Sequence, residues 1–221
     1  MKGRLVRALV LILAIPAAGC FFFGGHETPL GHAAAIGDTA SMKSLLDAGA
    51  DPNQSGAYRL TPLALAARTG HLDAIEMLLA RGADPHRGSG FSAWPPLAHA
   101  IHKDQRKAAL RLLDTYTGPS PDLSNALDMA AGYAQADIVA ALLAHGVDPA
   151  LSRADGTGAL SLAAGGSFDL DWSYESCDAL TATVRAILAT APDLRLHGSA
   201  GDAARKSAER HGCTELLALL R

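Results

Sequence analysis

Three cysteines and nine histidines are the side chains with most scope for nucleophilic or metal chemistry in this 221-residue sequence. Cys20 sits near the front in "AAGC", while Cys177 and Cys213 lie far behind it. His99 and His102 fall three apart on a predicted helix, a spacing that puts two rings on one face for a metal. Their nearest carboxylate is Asp104 and no cysteine adjoins them, so the pair reads as solvated or hydrogen-bonded. The stretch "FDLDWSYESCD" gathers Asp169, Asp171, Glu175 and Asp178, but it lacks the glycine and spacing of a calcium loop and reads as a solvated acidic loop. No G-x-x-x-x-G-K-[ST], G-x-S-x-G, H-E-x-x-H or C-x-x-C occurs. "GSGFSA" (88–93) fits a dinucleotide fingerprint in letters only, because Trp94-Pro95-Pro96 follows where a helix must begin at once. The expectation is a non-enzyme with no cofactor and no metal.

The front end has its own logic. Lys2, Arg4 and Arg7 precede a short apolar core, Ala8 to Ile15, and then the small residues Ala17, Ala18 and Gly19, so residues 1–19 read as an export signal. Eight apolar residues fall well short of the ~20 that span a bilayer. "AAGC" resembles the lipobox of bacterial lipoproteins, with Ala17 where Leu is usual, and that resemblance implies a lipid on Cys20. An ordinary signal cut after Gly19 also satisfies the small-x-small rule, so both readings stand. With lipidation, residues 20–27 become a tether, with Phe21, Phe22 and Phe23 at headgroup level. In such lipoproteins the residue after the cysteine influences sorting, and Phe21 instead of Asp implies the outer membrane. In that oxidising compartment Cys177 and Cys213 are an even pair, either a disulfide or two buried thiols.

The elements that must carry these residues emerge from internal repetition. "TPLGHAAAIGDTASMKSLLDAGADPN" at Thr28 and "TPLALAARTGHLDAIEMLLARGADPH" at Thr61 start 33 residues apart and align without a gap. Thr28 and Thr61 suit helix N-caps, with Pro29 and Pro62 at the first helical position. Ala33, Ala34, Ala66 and Ala67 allow close helix approach, and Gly37 and Gly70 allow the turn between helices. Leu45, Leu46, Leu78 and Leu79, with Ile75, form the apolar stripe of the second helix, which Gly49 or Gly82 and then Pro52 or Pro85 end. Spacing, T-P-L, A-A-x-x-G and L-L-x-x-G-A-D-P together resemble the ankyrin repeat. His71 takes a position where that pattern often has His and reads as structural.

That resemblance implies an all-α solenoid over residues 28–221, built of helix-turn-helix pairs with β-hairpin or loop fingers between them. About six units are expected, near 28–60, 61–94, 95–124, 125–157, 158–199 with an inserted loop at 165–178, and a cap at 200–221; two of them are degenerate. In the third, Asp104 replaces the turn glycine. Arg205, Lys206, Glu209 and Arg210 suit a cap that faces water.

Losing Lys2, Arg4 and Arg7 with the signal takes the formal net charge from −3 to −6, which argues against nucleic acid. The resemblance implies a protein partner instead, held on fingers or on the concave helix face by a monomer. Tyr58 and Arg59 lie on the first finger, and Arg87, Phe91 and Trp94 on the second; residues of this class dominate binding hot spots. Phe91 and Trp94 are expected to contact a partner because the finger extends away from the stack, unless one of them folds back onto the next repeat. Phe168, Trp172 and Tyr174 in the insert are a second candidate surface, and a Cys177–Cys213 bond would pin that insert to the cap. The expected role is an adaptor or chaperone-like partner of an envelope protein; the alternative is an immunity protein against a periplasm-directed toxin.

Overall fold

The computed structural model describes residues 27–56, 58–151, 155–165 and 176–221, and everything below concerns these. Twelve helices follow in order: α1 (Pro29–Ile36), α2 (Thr39–Asp47), α3 (Pro62–Thr69), α4 (Leu72–Ala80), α5 (Pro96–His102), α6 (Arg106–Leu113), α7 (Pro121–Gly132), α8 (Ala136–Ala144), α9 (Ala159–Gly165), α10 (Cys177–Thr190), α11 (Gly198–Arg210) and α12 (Thr214–Leu219). They form six pairs. Odd-numbered helices stack on one another as an inner layer, and even-numbered ones as an outer layer. Between neighbouring pairs run the fingers, and in the second of them a β-bridge joins Ser89 to Trp94. The first two fingers carry no strand of their own.

Local chemistry explains the helix ends. Thr28 accepts from the Gly31 N–H at 3.0 Å and Thr61 from the Ala64 N–H at 3.2 Å, each with proline next in the chain. Gly37 and Gly70 close α1 and α3 in the left-handed region, at φ 72° and 76°. The same turns in the third and fourth pairs are made by Asp104 and Ala134 at φ 52° and 50°. An L residue there is strained by roughly 1–2 kcal/mol, and side chains compensate. Gln135, buried, donates from Nε2 to the Ile101 carbonyl at 2.9 Å and to Asp104 Oδ1 at 3.1 Å, holding one turn against the one before it.

The core is continuous from end to end. Alanines 33, 34, 66, 67, 100, 130, 131, 163 and 164 bring the inner helices together, and Ile75, Leu78, Leu112, Ile138, Leu142 and Leu180 fill the space behind them. Ion pairs cross the outer face from pair to pair: Arg81 to Asp47 at 2.9 Å, Arg111 to Glu76, Arg106 to Asp137 at 2.6 Å, and Arg185 to Glu215. At the rear, Cys177 on α10 and Cys213 at the start of α12 are joined as a disulfide, their Cα atoms 5.4 Å apart. The choice left open by sequence thus falls on the bonded form. It links the last two pairs covalently.

One boundary moves. The repeat pattern starts the fourth unit at Asn125, yet α7 begins at Pro121, capped by Ser120 Oγ on the Leu123 N–H at 3.3 Å. A Ser-Pro start one turn upstream is a better cap than Asn125, so the helix gains a turn and the preceding finger shortens. The fold class and the six pairs agree with the sequence reading. The signal, Cys20, and the insert residues Phe168, Trp172 and Tyr174 lie outside the described residues, as do Asp169, Asp171 and Glu175. No described helix is long and apolar enough to cross a membrane.

Candidate functional site

The first two fingers are stitched together. Arg59, at φ 60°, turns the first finger, and its carbonyl accepts from the Gly90 N–H of the second at 2.9 Å. At their base Asn53 bridges the same gap: Nδ2 donates to the Gly82 carbonyl at 3.0 Å, and Oδ1 accepts from the Asp84 N–H at 2.8 Å. Tyr58, 51% exposed, and Phe91, 82% exposed, stand at the two tips beside exposed Arg59 and Arg87. These four match the expected exposed positions.

Trp94 does not. It turns back onto α5, half-buried, with its ring edge-on to His99 at 5.7 Å and to His102 at 5.3 Å between centroids. The cause lies in the finger itself. The Ser89 N–H donates to the Trp94 carbonyl at 2.8 Å, and Gly90 and Ala93, at φ 75° and 51°, bend the loop so that the indole returns to the helix. Of the two alternatives weighed for this finger, Phe91 points outward and Trp94 folds inward.

The two histidines hold this arrangement through hydrogen bonds and ring contacts. His99 is 3% exposed; Nε2 faces the Ser89 carbonyl at 3.2 Å and Nδ1 faces the Arg68 guanidinium at 3.4 Å. Since arginine only donates, Nδ1 accepts and the Nε2–H donates, the neutral tautomer. Burial pushes the His99 pKa down from 6.5 to about 4, with Arg68 and His102 adding to the fall against the Ser89 bond. His102 shares a 2.8 Å hydrogen bond through Nδ1 with the Tyr133 hydroxyl, across to the end of α7. Among the described residues no three His, Cys, Asp or Glu converge on a possible metal position.

Trp94 and Tyr133, both oriented by His102, border a concave groove of about 500 Å³ along the inner helices. It is lined by Ala98, Met129, Gly132 and Leu162 and by the polar side chains of Asp122, Asn125 and Asp128. The extra turn of α7 adds Asp122 to that lining. Past Asp122 a smaller hollow of about 310 Å³ continues beside His86, Tyr116 and Ser120. Tyr116 is buried there, its ring edge-on to His86 at 4.4 Å, and its hydroxyl has no hydrogen-bond partner. Burial, then the charges of Asp122 and Asp84, push its pKa up to about 12.

The α7 residues of the groove went unnoticed in the sequence. Their signal was present: against "TPLALAARTG", the fourth unit places Asp128 where Ala64 stands and Met129 where Leu65 stands. A carboxylate is an unusual residue on the inner face of an alanine-lined stack.

Comparison with known proteins agrees with this architecture. The family described as Ankyrin repeats (3 copies) matches residues 4–89. No curated protein matches the chain. Among solved structures, an ankyrin repeat domain from Acinetobacter baumannii is similar at 22% identity and a TM-score of 0.69, over 87% of this chain and 95% of that one. A further ankyrin repeat protein aligns at 24% identity and a TM-score of 0.69, over 87% and 96%. A chain from the complex of a predatory endopeptidase with an immunity protein, from Bdellovibrio bacteriovorus, aligns at 20% identity and a TM-score of 0.66, over 88% and 97%. The fold is an ankyrin-repeat solenoid.

Proposed function

We propose that this ankyrin-repeat solenoid is a non-catalytic protein-interaction module held on the periplasmic face of a bacterial envelope membrane by a lipid on Cys20, where it serves as an adaptor or chaperone-like partner of an envelope protein. The observation that carries the reading is the groove between Trp94 and Tyr133, whose aromatic walls are locked in place by His102 before any partner arrives. Side chains fixed in advance lose little freedom on binding. Phe91 and Tyr58 offer a second, exposed contact at the finger tips. "AAGC" and the basic, then apolar, front support the tether and the envelope location, and Phe21 supports the outer membrane.

The test is capture from an envelope extract with the mature chain, read by mass spectrometry and compared with Met129→Lys/Tyr133→Ala and with Phe91→Ala/Tyr58→Ala. A resident envelope protein lost with one variant pair supports the adaptor role and assigns its surface. Palmitate labelling that tags the wild type and spares Cys20→Ala supports the tether; equal labelling of both rejects it.

A second reading is favoured by one comparison: the structural neighbour from a complex of an endopeptidase with an immunity protein. On that reading the partner is a toxin delivered from outside, and resident proteins are not captured. Expression of the chain should then protect a sensitive strain, and loss of protection on mutating the groove or the tips would identify the contact.

A further inference from the structure

We propose that the finger edge of the solenoid docks on an anionic bilayer, with Tyr58, Phe91 and Leu151 entering its interface and Arg59 and Arg87 meeting its phosphates; this rests on the reading that Cys20 carries a lipid. Three observations converge on that surface.

The first is where the tether joins. Thr28 and Thr61 start α1 and α3 from equivalent caps 33 residues apart, and α1 packs on α3. Glu27 therefore stands where Leu60 stands, at the end of a finger that leads into an inner helix. Packed helices lie about 8–10 Å apart, so the second finger, two inner helices along, is about 20 Å from Glu27 on the same edge. The chain from Cys20 to Glu27 reaches at most about 25 Å. A lipid on Cys20 thus holds this edge, rather than the opposite one, beside the membrane.

The second is where apolar side chains are left in water. Among the described residues the large exposed ones are Ile36, Tyr58, Phe91, Leu110 and Leu151, and three of these five lie on fingers. Tyr58 and Phe91 are 33 residues apart and so hold the same place in successive units. Leu151 follows Pro149 on the fourth finger as Arg87 follows Pro85 on the second. Such rings settle at the boundary between headgroups and acyl chains, with the apolar body inside and polar neighbours in water. A row spread over three fingers suits a plane better than it suits one pocket.

The third is charge. Arg59 and Arg87 are exposed beside the two aromatic tips, and neither guanidinium takes part in an ion pair or side-chain hydrogen bond among the described residues. The carboxylates of the same fingers are tied into their own turns: Asp51 Oδ1 accepts from the Asn53 N–H at 2.8 Å and Asp84 Oδ1 from the His86 N–H at 2.9 Å. On the fourth finger Asp148 and Asp155 are held likewise, without an arginine tip among the described residues. Attraction to anionic headgroups is therefore concentrated on the first two fingers, next to the tether.

The decisive experiment couples the mature chain to vesicles. With Cys177 and Cys213 bonded, Cys20 is its one free thiol, and a maleimide-headgroup lipid takes it. The vesicles are phosphatidylcholine, with or without phosphatidylglycerol, brominated on their acyl chains. Coupling sets the tether whether or not cells lipidate Cys20, so failure here and failure of palmitate labelling are separate results. Phe91→Trp is read against Ile36→Trp, an exposed apolar position at the far end of α1 from its cap, both in a Trp172→Phe background. Bromolipid should quench the indole of Phe91→Trp about twofold more than that of Ile36→Trp, and more strongly when phosphatidylglycerol is present. Arg59→Gln/Arg87→Gln should remove the phosphatidylglycerol effect with the melting curve unchanged, and high salt should do the same. Equal quenching at both positions, no quenching of Phe91→Trp, or a phosphatidylglycerol effect that survives the arginine variant would each overturn the proposal. Loss of a captured envelope protein with Phe91→Ala/Tyr58→Ala would give the tips to a protein and overturn it as well.

Discussion

The front and the rear of the solenoid reach the same helix-pair geometry by different means. In the first two pairs the fold is held by residues acting on their own neighbours: Thr28 and Thr61 cap, and Gly37 and Gly70 turn. In the last two, α10 is capped by an exposed Ser176, α12 has no side-chain cap, and a covalent bond between Cys177 and Cys213 spans the two outer helices. The middle pairs sit between these extremes, with Asp104 and Ala134 in strained turns and Gln135 reaching back one pair. Repeat geometry thus tolerates loss of the local code where a longer-range link replaces it.

The largest expected effect tests the rear. Cross-linking residues 36 apart restricts the unfolded chain by about 3–4 kcal/mol, so reduction or Cys177→Ser/Cys213→Ser should lower stability by that order. Hydrogen exchange should show α10 to α12 opening first, with α1 to α4 little changed. Uniform loss of protection across all six pairs would break the comparison.

Next comes acid, which should strike the front and middle. His99 is held neutral with its pKa lowered to about 4, whereas unfolding returns it to 6.5. Between those values the unfolded chain binds the extra proton, so stability rises with pH and is lost as pH falls from 6.5 towards 4, by up to about 1.4 kcal/mol per pH unit. Denaturant midpoints measured across this window should show the slope, and His99→Gln should flatten it.

Smaller still is the contrast between caps. Thr61→Ala removes a buried cap and should cost about 1–2 kcal/mol, while Ser176→Ala at an exposed cap should cost about 0.5–1 kcal/mol by the same melts. The smallest effect should be a gain: Ala134→Gly relieves a left-handed turn at some entropic expense, for a net stabilisation under about 1 kcal/mol. A loss there would mean that the Ala134 methyl group contributes more through packing than its backbone strain costs.

What could be read in advance follows the same division. The first two pairs were legible to within a residue because cap, turn and stripe are local patterns that recur at fixed offsets. The start of α7 was not, because alignment to Thr61 chose Asn125 over the stronger Ser120–Pro121 signal one turn earlier. Phe91 could be foreseen at a tip, whereas the return of Trp94 depends on two positive-φ residues and on rings presented by another element. The groove is tertiary altogether: Asp122, Asp128 and Tyr133 meet Trp94 only once α5, α7 and the second finger have stacked. The cysteine pair lay between these cases, visible as a pair and undecided as a bond.

The amide of Asn53 and the backbone bond from Gly90 to Arg59 have a mechanical consequence. Joined at base and tip, the first two fingers form one stiff paddle. Force applied to Phe91 by a partner is shared with Tyr58's loop and passed into α3 and α5, rather than being absorbed by a single bending hairpin. Such a contact should give way abruptly under load, as a unit, and in a single-molecule pulling experiment the two tips should let go together.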